Sequence, residues 1–512
     1  MDKLLKDKIL KENYIWAFCG ALISGFAAYM FMITHHFLTF DSVGNQFASQ
    51  DVLYLGRQFL TYACGISSYY DLPWVNGVLA ILYLAILSVF MVELFEVKDK
   101  YLAGLMGGVL VTFPSVISTF CYTYTLDGYM LAALLSVIAV FITVRFKYGF
   151  APGAILMCLS LGIYQAYYAV AICLCAFVLI QKIYTGKEIK ELVRTAVNAC
   201  IMGVVGYFLY VVTLKITLKV KGVDLTGYQG TDKVMSFDFA NLGYGLKQAI
   251  YNFKVFIMYE NVLSTFVVMK IAVLVIALTS VILFVYLFIK MGAYKKWYNY
   301  ILTALLVGIL PFGATVVVIM APDNFFHTLQ KYGFATFFVF AVVLVSDTIK
   351  NLLKSDKIWK ILGKLSACAM AVLVFCFIVM ANIVGFQMNE RYEKSYAIAV
   401  RMVDRLEQTP GYHTGDKVAL LGGNLNADNY PETAITREDL VGYFGANGDL
   451  SFNSADTFME FCKHYLGVTL GFVSPEKQIE LTGYPEFQEM GNFPAADSIR
   501  QIEDIWVIRI NG

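Results

Sequence analysis

The sequence predicts an α-helical polytopic membrane protein with a small α/β domain at its carboxy-terminal end. Three observations predict it. Of the 512 residues, 59% are hydrophobic, and the mean hydropathy is +0.64. Only 15% are charged, against about 25% in soluble domains. Apolar runs of roughly twenty residues, the length a helix needs to cross a bilayer, recur until about residue 386 and then stop. The chain therefore divides into a multi-span domain, 1–386, and a second domain, 387–512. A net charge of +1 leaves no electrostatic footprint for a nucleic-acid partner. Cysteines such as Cys173, Cys175, Cys368 and Cys376 sit inside apolar runs as small core residues. They form no CxxC pair and no zinc spacing.

The start, MDKLLKDKILKENY, is basic and runs straight into a span without a small-residue cleavage site. It reads as an uncleaved cytoplasmic tail. Clear spans are 14–34, 74–95, 101–119, 127–145, 195–216, 264–290, 299–320, 333–349 and 361–384. Lysine and arginine mark the cytoplasmic side of short loops. Lys3, Lys6, Lys8 and Lys11 place the amino terminus inside, and the lysine-free 35–72 loop is then outside. The 151–181 stretch is basic on both flanks, with Arg145 and Lys147 before it and Lys182, Lys187, Lys190 and Arg194 after it. One span cannot begin and end on the same side, so this stretch reads as a hairpin of two short helices broken at GIYQ, Gly162 to Gln165. The total is about eleven spans, with the amino terminus inside and the carboxy-terminal domain extracytoplasmic.

The 217–262 loop carries an aromatic, lysine-containing segment that reads either as an interfacial helix or as an ordinary amphipathic packing helix. Beyond 386, ERYEKSYAIAVRMVDRLEQ reads as an amphipathic helix stopped by Pro410 and Gly411. KVALLGG and IWVIRI read as strands, and SADTFMEFCKHYLG as a helix capped by Ser454.

This topology gathers polar groups on the external side: Asp41, Asp51, Arg57, Asp127, Tyr164, Gln165, His327 and Lys331. Ionisable groups at membrane depth are costly and face interior cavities. Each also has a plainer reading. Asp41 fits a loop acid or cap, Asp127 a cap of its helix, and Arg57 a headgroup contact or a pair with Asp51. Tyr164 and Gln165 fit packing in an unbroken span, and His327 and Lys331 fit headgroup contacts. No GxGxxG, P-loop, HExxH or GxSxG motif stands in a fitting context.

The order of a basic tail, one span and an external loop running FDSVGNQF into LGRQFL, followed by FPSVISTFCYTYTLDGYM and LSLGIYQAYYA, resembles the GtrII-type bacterial membrane glucosyltransferases. The ending MGNFPAADSIRQIEDIWVIRI is similar too. The resemblance implies a GT-C-like fold and a bacterial plasma-membrane glycosyltransferase acting on the outer face. It implies a polyprenyl-phosphate-linked sugar donor and a cell-surface polysaccharide or glycolipid acceptor. It carries the first-loop catalytic acid over to Asp41, and a second-loop acid to Asp127. GT-C first loops often hold two acids adjacent or one apart, whereas Asp41 is followed by Ser42 and Val43. A metal held by paired first-loop carboxylates is therefore not expected, and no other cofactor is implied. Within this reading Asp41 is the base and Arg57 the phosphate clamp, with Asp51 as its orienter. Asp127, Tyr164, Gln165, His327 and Lys331 complete the substrate site. A transporter or flippase of a lipid-linked sugar is the alternative from another class, and a glycan-binding scaffold without catalysis is a third.

Overall fold

The computed structural model describes residues 11–36, 38–66, 69–227, 242–352, 356–422, 444, 451–452 and 454–510. Lys3, Lys6 and Lys8 of the expected basic tail, the first part of the aromatic loop segment, and Lys354 lie outside the described residues. The described chain is mostly helical. The helices are α1 (Glu12–Thr34), α2 (Phe40–Asn45), α3 (Pro73–Leu94), α4 (Lys100–Thr112), α5 (Pro114–Phe120), α6 (Thr123–Arg145), α7 (Phe150–Ile163), α8 (Tyr168–Tyr184) and α9 (Ile189–Lys221). They continue with α10 (Leu242–Met258), α11 (Val267–Lys290), α12 (Trp297–Ala314), α13 (Val316–Met320), α14 (Ala335–Lys350) and α15 (Lys357–Gln408). Then come β1 (Lys417–Leu421), α16 (Ala455–Phe461), α17 (Pro475–Thr482), α18 (Pro485–Glu489), β2 (Ile499–Ile502) and β3 (Ile505–Arg509).

The chain clusters into two compact units. The first holds Met1–Thr34, Ser49–Asn382 and Tyr443–Gly445, and the second holds His35–Ala48, Ile383–Gly442 and Ala446–Gly512. The helix that the expected 386/387 boundary would interrupt is one continuous element of 52 residues, α15. The start of the 35–72 loop, with Asp41, groups with the second unit.

In the first unit, nine helices among the described residues are long and apolar enough to cross a membrane, or ten if the bent pair α4 and α5 is one span. That pair bends by 46° at Pro114, which has no amide hydrogen to continue the helix. The expectation of about eleven spans counted α7, whose 14 residues reach only about 21 Å. Small residues bring spans together, as lipid-embedded bundles require. A Cβ on Gly20 would lie 2.3 Å from the Gly104 carbonyl oxygen, and one on Gly107 would lie 2.3 Å from that of Ala17, so α1 and α4 touch backbone to backbone. The segment Thr328–Lys350 is almost wholly buried within the protein.

The break expected in 151–181 is present. Helix α7 ends at Ile163, Tyr164 is extended (φ −157°, ψ 117°), and a 3-10 turn over Gln165–Tyr167 leads into α8. The two helices run in opposite directions. Phe59 N–H donates to the Gly162 carbonyl (2.8 Å), so α7 ends beside the 35–72 loop segment that follows Gly56. The far end of α8 returns to the other side, where Gln181 donates to the Phe95 carbonyl (3.0 Å) just past α3. Arg145, at the end of α6, meets Glu96 on that same side (2.9 Å). Helix α10 is a packed helix: a Cβ on its Gly245 would lie 2.7 Å from the Ile319 carbonyl oxygen of α13, and Thr315 donates to its Ala249 carbonyl (3.2 Å). Cys173 and Cys376 are buried as expected, but Cys368 is exposed on the face of its helix.

The second unit has a three-stranded sheet of order β1-β3-β2, with β1 parallel and β2 antiparallel to β3. Side chains alternate across a strand, and both faces are covered. Val418, Leu420, Trp506 and Ile508 meet Ile398, Met402 and Leu406 of α15, Phe458 and Phe461 of α16, and Val43 next to Asp41. Ala419, Leu421 and Val507 meet Leu481 and Phe487 on the other face. Ser454 caps α16 by accepting from Thr457 N–H (3.2 Å). Strand β2 and the helices α17 and α18 were not anticipated from sequence.

Candidate active site

The stretches LGRQ and GIYQ, far apart in sequence, are side by side in the first unit. Gly56 is left-handed (φ 71°), a conformation that costs a residue with a Cβ more than glycine. That turn presents its carbonyl to two donors, Gln165 Nε2 (3.1 Å) and Tyr210 Oη (3.0 Å). Gln165 Nε2 also reaches the Leu55 carbonyl (3.3 Å) and Tyr210 Oη (3.0 Å). Its amide nitrogen is thus engaged in holding the 35–72 loop against the helix break. The close approach needs Gly162, because a Cβ there would lie 2.3 Å from the Phe59 ring.

This latch places Arg57. Its Nη1 donates to Tyr129 Oη (2.7 Å), and its guanidinium lies 4.8 Å from the centroid of the Tyr164 ring. Tyr129 and Tyr164 stack at 4.3 Å with 12° between their planes. A guanidinium against aromatic faces is held by cation–π attraction while its remaining donors keep their fork geometry. Rings continue from Tyr164 to Tyr167 (5.7 Å) and on to Tyr332 (6.0 Å), the neighbour of Lys331. Arg57, Tyr164, Gln165 and the Lys331 segment therefore lie along one polar-aromatic seam.

The remaining predicted residues are placed as follows. Asp51 is exposed and pairs with Lys221 (2.8 Å) at the end of α9. Asp127 is not a cap: α6 begins four residues earlier, at Thr123, and Asp127 is 2% exposed. Lys331 is buried and forms an ion pair with Glu260, and Phe326 and Phe256 flank its ammonium at 5.1 and 5.5 Å. Phe256 lies on α10 and Glu260 just beyond that helix, so a buried cation is matched by an acid rather than by headgroups. His327 caps the 3-10 turn Thr328–Phe334: its Nδ1 accepts from Leu329 N–H (3.2 Å), and its Nε2 lies 3.4 Å from Tyr122 Oη.

Asp41 belongs to the second unit, in the first turn of α2. Thr39 caps that helix by accepting from Ser42 N–H (3.2 Å). The carboxylate is exposed. Even so, neighbouring protein withdraws enough water to raise its pKa above the ordinary aspartate value. A raised pKa makes the ionised form a stronger base.

One acid was missed. Asp71 ends the same loop, thirty residues past Asp41. It is buried, accepts from Thr123 Oγ1 (2.6 Å) and Asn76 Nδ2 (3.3 Å), and faces Asp127 closely enough to feel its charge. Burial first, and the Asp127 charge second, push its pKa up to about 6. In sequence it precedes Pro73 and reads as a turn acid at a helix start, which hides it. Tyr129, Tyr210 and Glu260 left no signal that separates them from ordinary packing and loop residues. Among the described residues, no group of three or more His, Cys, Asp and Glu side chains is placed to hold a metal ion.

The family model described as Glucosyl transferase GtrII matches residues 30–346, more than half of the chain. The chain belongs to the GtrII glucosyl transferase family. It is accordingly a multi-pass membrane glycosyltransferase, which uses a sugar donor and an acceptor. The GtrII match takes in all eight predicted site residues and the latch that holds Arg57. No curated protein and no solved structure matches the chain.

Proposed function

We propose that this GtrII-family protein moves a hexose, glucose by the family's name, from a polyprenyl-phosphate-linked donor to a cell-surface polysaccharide or glycolipid on the outer face of the membrane. The observation that carries this reading is Arg57, fixed on the Tyr129–Tyr164 stack at a helix break within an apolar bundle. A phosphate ester entering from the lipid would meet a pre-aimed guanidinium, which pairs with phosphate oxygens two at a time. Asp41 takes the proton of the acceptor hydroxyl as its oxygen attacks the anomeric carbon. The bond from that carbon to the phosphate oxygen breaks, and the electron pair leaves on the phosphate, whose charge Arg57 takes up. General-base help of this kind contributes about 10²–10⁴-fold. Tyr164, Tyr122 and His327 supply aromatic and polar surface for the sugar. Asp127, in the first turns of α6 and near Asp71, sits at the same end of the bundle. Lys331 and Gln165 act from behind, through Glu260 and Gly56.

The donor's hydrocarbon chain also needs a place. A cleft of about 350 Å³ runs between α8, α9 and α12 from Tyr168 to Leu179. It starts four residues past Tyr164 and spans about 17 Å of helix, room for several isoprene units. The test is purified protein with radiolabelled polyprenyl-phosphate glucose and a surface-glycan acceptor. Label should appear covalently on the acceptor, and Asp41→Asn should express and insert but transfer nothing. Label that crosses a vesicle membrane without joining the acceptor would point to a flippase, and near-normal transfer by Asp41→Asn would remove that residue as the base.

A further inference from the structure

A second apolar groove, of about 380 Å³, lies between α11 and the first turns of α15. Its wall is Val281, Ile282, Val285 and Ile289, all exposed on the flank of the bundle. One end is built from polar and aromatic groups. Tyr286 and Trp359 stack at 4.0 Å. Asp356 accepts from Tyr286 Oη (3.2 Å) and from Lys290 Nζ (3.1 Å), which fixes the ammonium at the rim. The two segments that meet there, 290–300 and 356–366, hold Lys290, Lys295, Lys296, Lys357, Lys360 and Lys364 against the single acid Asp356. Lys357, Lys360 and Lys364, in the first turns of α15, are exposed.

This groove is remote from the seam that holds Arg57. Helix α14 begins just past Lys331 and Tyr332 and runs sixteen residues to Lys350, or about 24 Å along the axis. Asp356 and Trp359 follow that far end.

We propose that the groove is a binding site for an anionic glycerophospholipid of the phosphatidylglycerol class. One acyl chain lies along Val281–Ile289, and the head group's phosphate rests among Lys290, Lys357 and Lys360. Basic pockets between spans, rimmed by interfacial aromatic residues, suit an anionic head group, and each lysine near it contributes about fivefold to the preference. The cleft beside Tyr168 has no lysine on its lining, so the two grooves select differently. The proposal is independent of the catalytic reading.

The test is native mass spectrometry of the full-length protein released from mixed micelles of phosphatidylglycerol, phosphatidylcholine and polyprenyl phosphate. Phosphatidylglycerol should be retained at least tenfold over phosphatidylcholine. Lys357→Glu with Lys360→Glu should erase that preference. Val285→Trp, at an exposed position that fills the groove, should reduce retention of the lipid at least fivefold. Val268→Trp, exposed on the same helix but away from the groove, should change nothing. Equal retention of the two phospholipids, polyprenyl phosphate as the preferred occupant, or equal losses from the two tryptophan variants would each overturn the assignment.

Discussion

Asp71→Asn tests whether the buried carboxylate beside Asp127 is a liability that the fold tolerates. Asp71 titrates at about 6, against an unfolded value of 3.8. The rise is about 2 units, and at about 1.4 kcal/mol per unit it opposes the ionised folded state by roughly 3 kcal/mol. The sign follows from which state releases its proton first. Below pH 4 both states are protonated and the full contribution is present. Between about 4 and 6 only the unfolded state ionises, so stability falls, and above 6 the loss is complete. Asparagine does not titrate, and it offers Thr123 and Asn76 a side chain of the same shape. Purified wild type and Asp71→Asn in detergent should therefore diverge as pH rises, with matching unfolding midpoints near pH 4 and the variant more stable by about 2–3 kcal/mol at pH 7. Asp127→Asn should narrow the gap by removing the second cause of the shift. Parallel curves from pH 4 to 7, or a variant less stable than wild type at pH 7, would refute the reasoning.

Arg57→Ala should weaken donor binding about 10- to 100-fold, the range for a lost charge-assisted contact; Arg57→Lys should recover only part, since a lysine lacks the fork, and titration of a polyprenyl-phosphate sugar reads both. Gly162→Ala should cost about 1–3 kcal/mol by driving its methyl into the Phe59 ring, and adding Phe59→Ala should restore part of the melting temperature. Lys331→Met should destabilise by about 3 kcal/mol, because it leaves Glu260 in a largely dry site without its cation; Lys331→Met with Glu260→Gln should be milder than either change alone, and thermal scans of the three variants decide it. Transfer by the wild type should fall away on the acid side with a midpoint above the ordinary aspartate value, because the Asp41 pKa is raised and the base must be ionised; a pH–rate profile checks this.

The spans were legible because a helix in lipid needs a long apolar run, and that length is written directly in the sequence. The break at Tyr164 was legible from charge alone: basic residues on both flanks demanded an even number of crossings. What charge and length cannot express is which loop meets which break. That Gly56 and Gln165 share a hydrogen bond depends on a carbonyl direction set by one left-handed glycine. Asp71 and Glu260 were hidden for a related reason. Each sits beside a helix terminus, where acids are common, and only tertiary packing makes them buried partners of Asn76 and Lys331. The strands β1 and β3 were visible as apolar runs, whereas β2, IRQI, is half polar and needed its neighbour to define it.

The hold that Gln165 keeps on the loop at Leu55 and Gly56 has a consequence for affinity. A free arginine side chain gives up as much as about 2 kcal/mol of rotational entropy when it is immobilised on a ligand. Here the turn is pinned on one side and the guanidinium leans on two tyrosines, so that ordering is completed when the chain folds. An incoming phosphate would meet a cation with little freedom left to lose. Loosening the latch by Gln165→Ala should thus weaken anion binding without removing a single group that touches the anion.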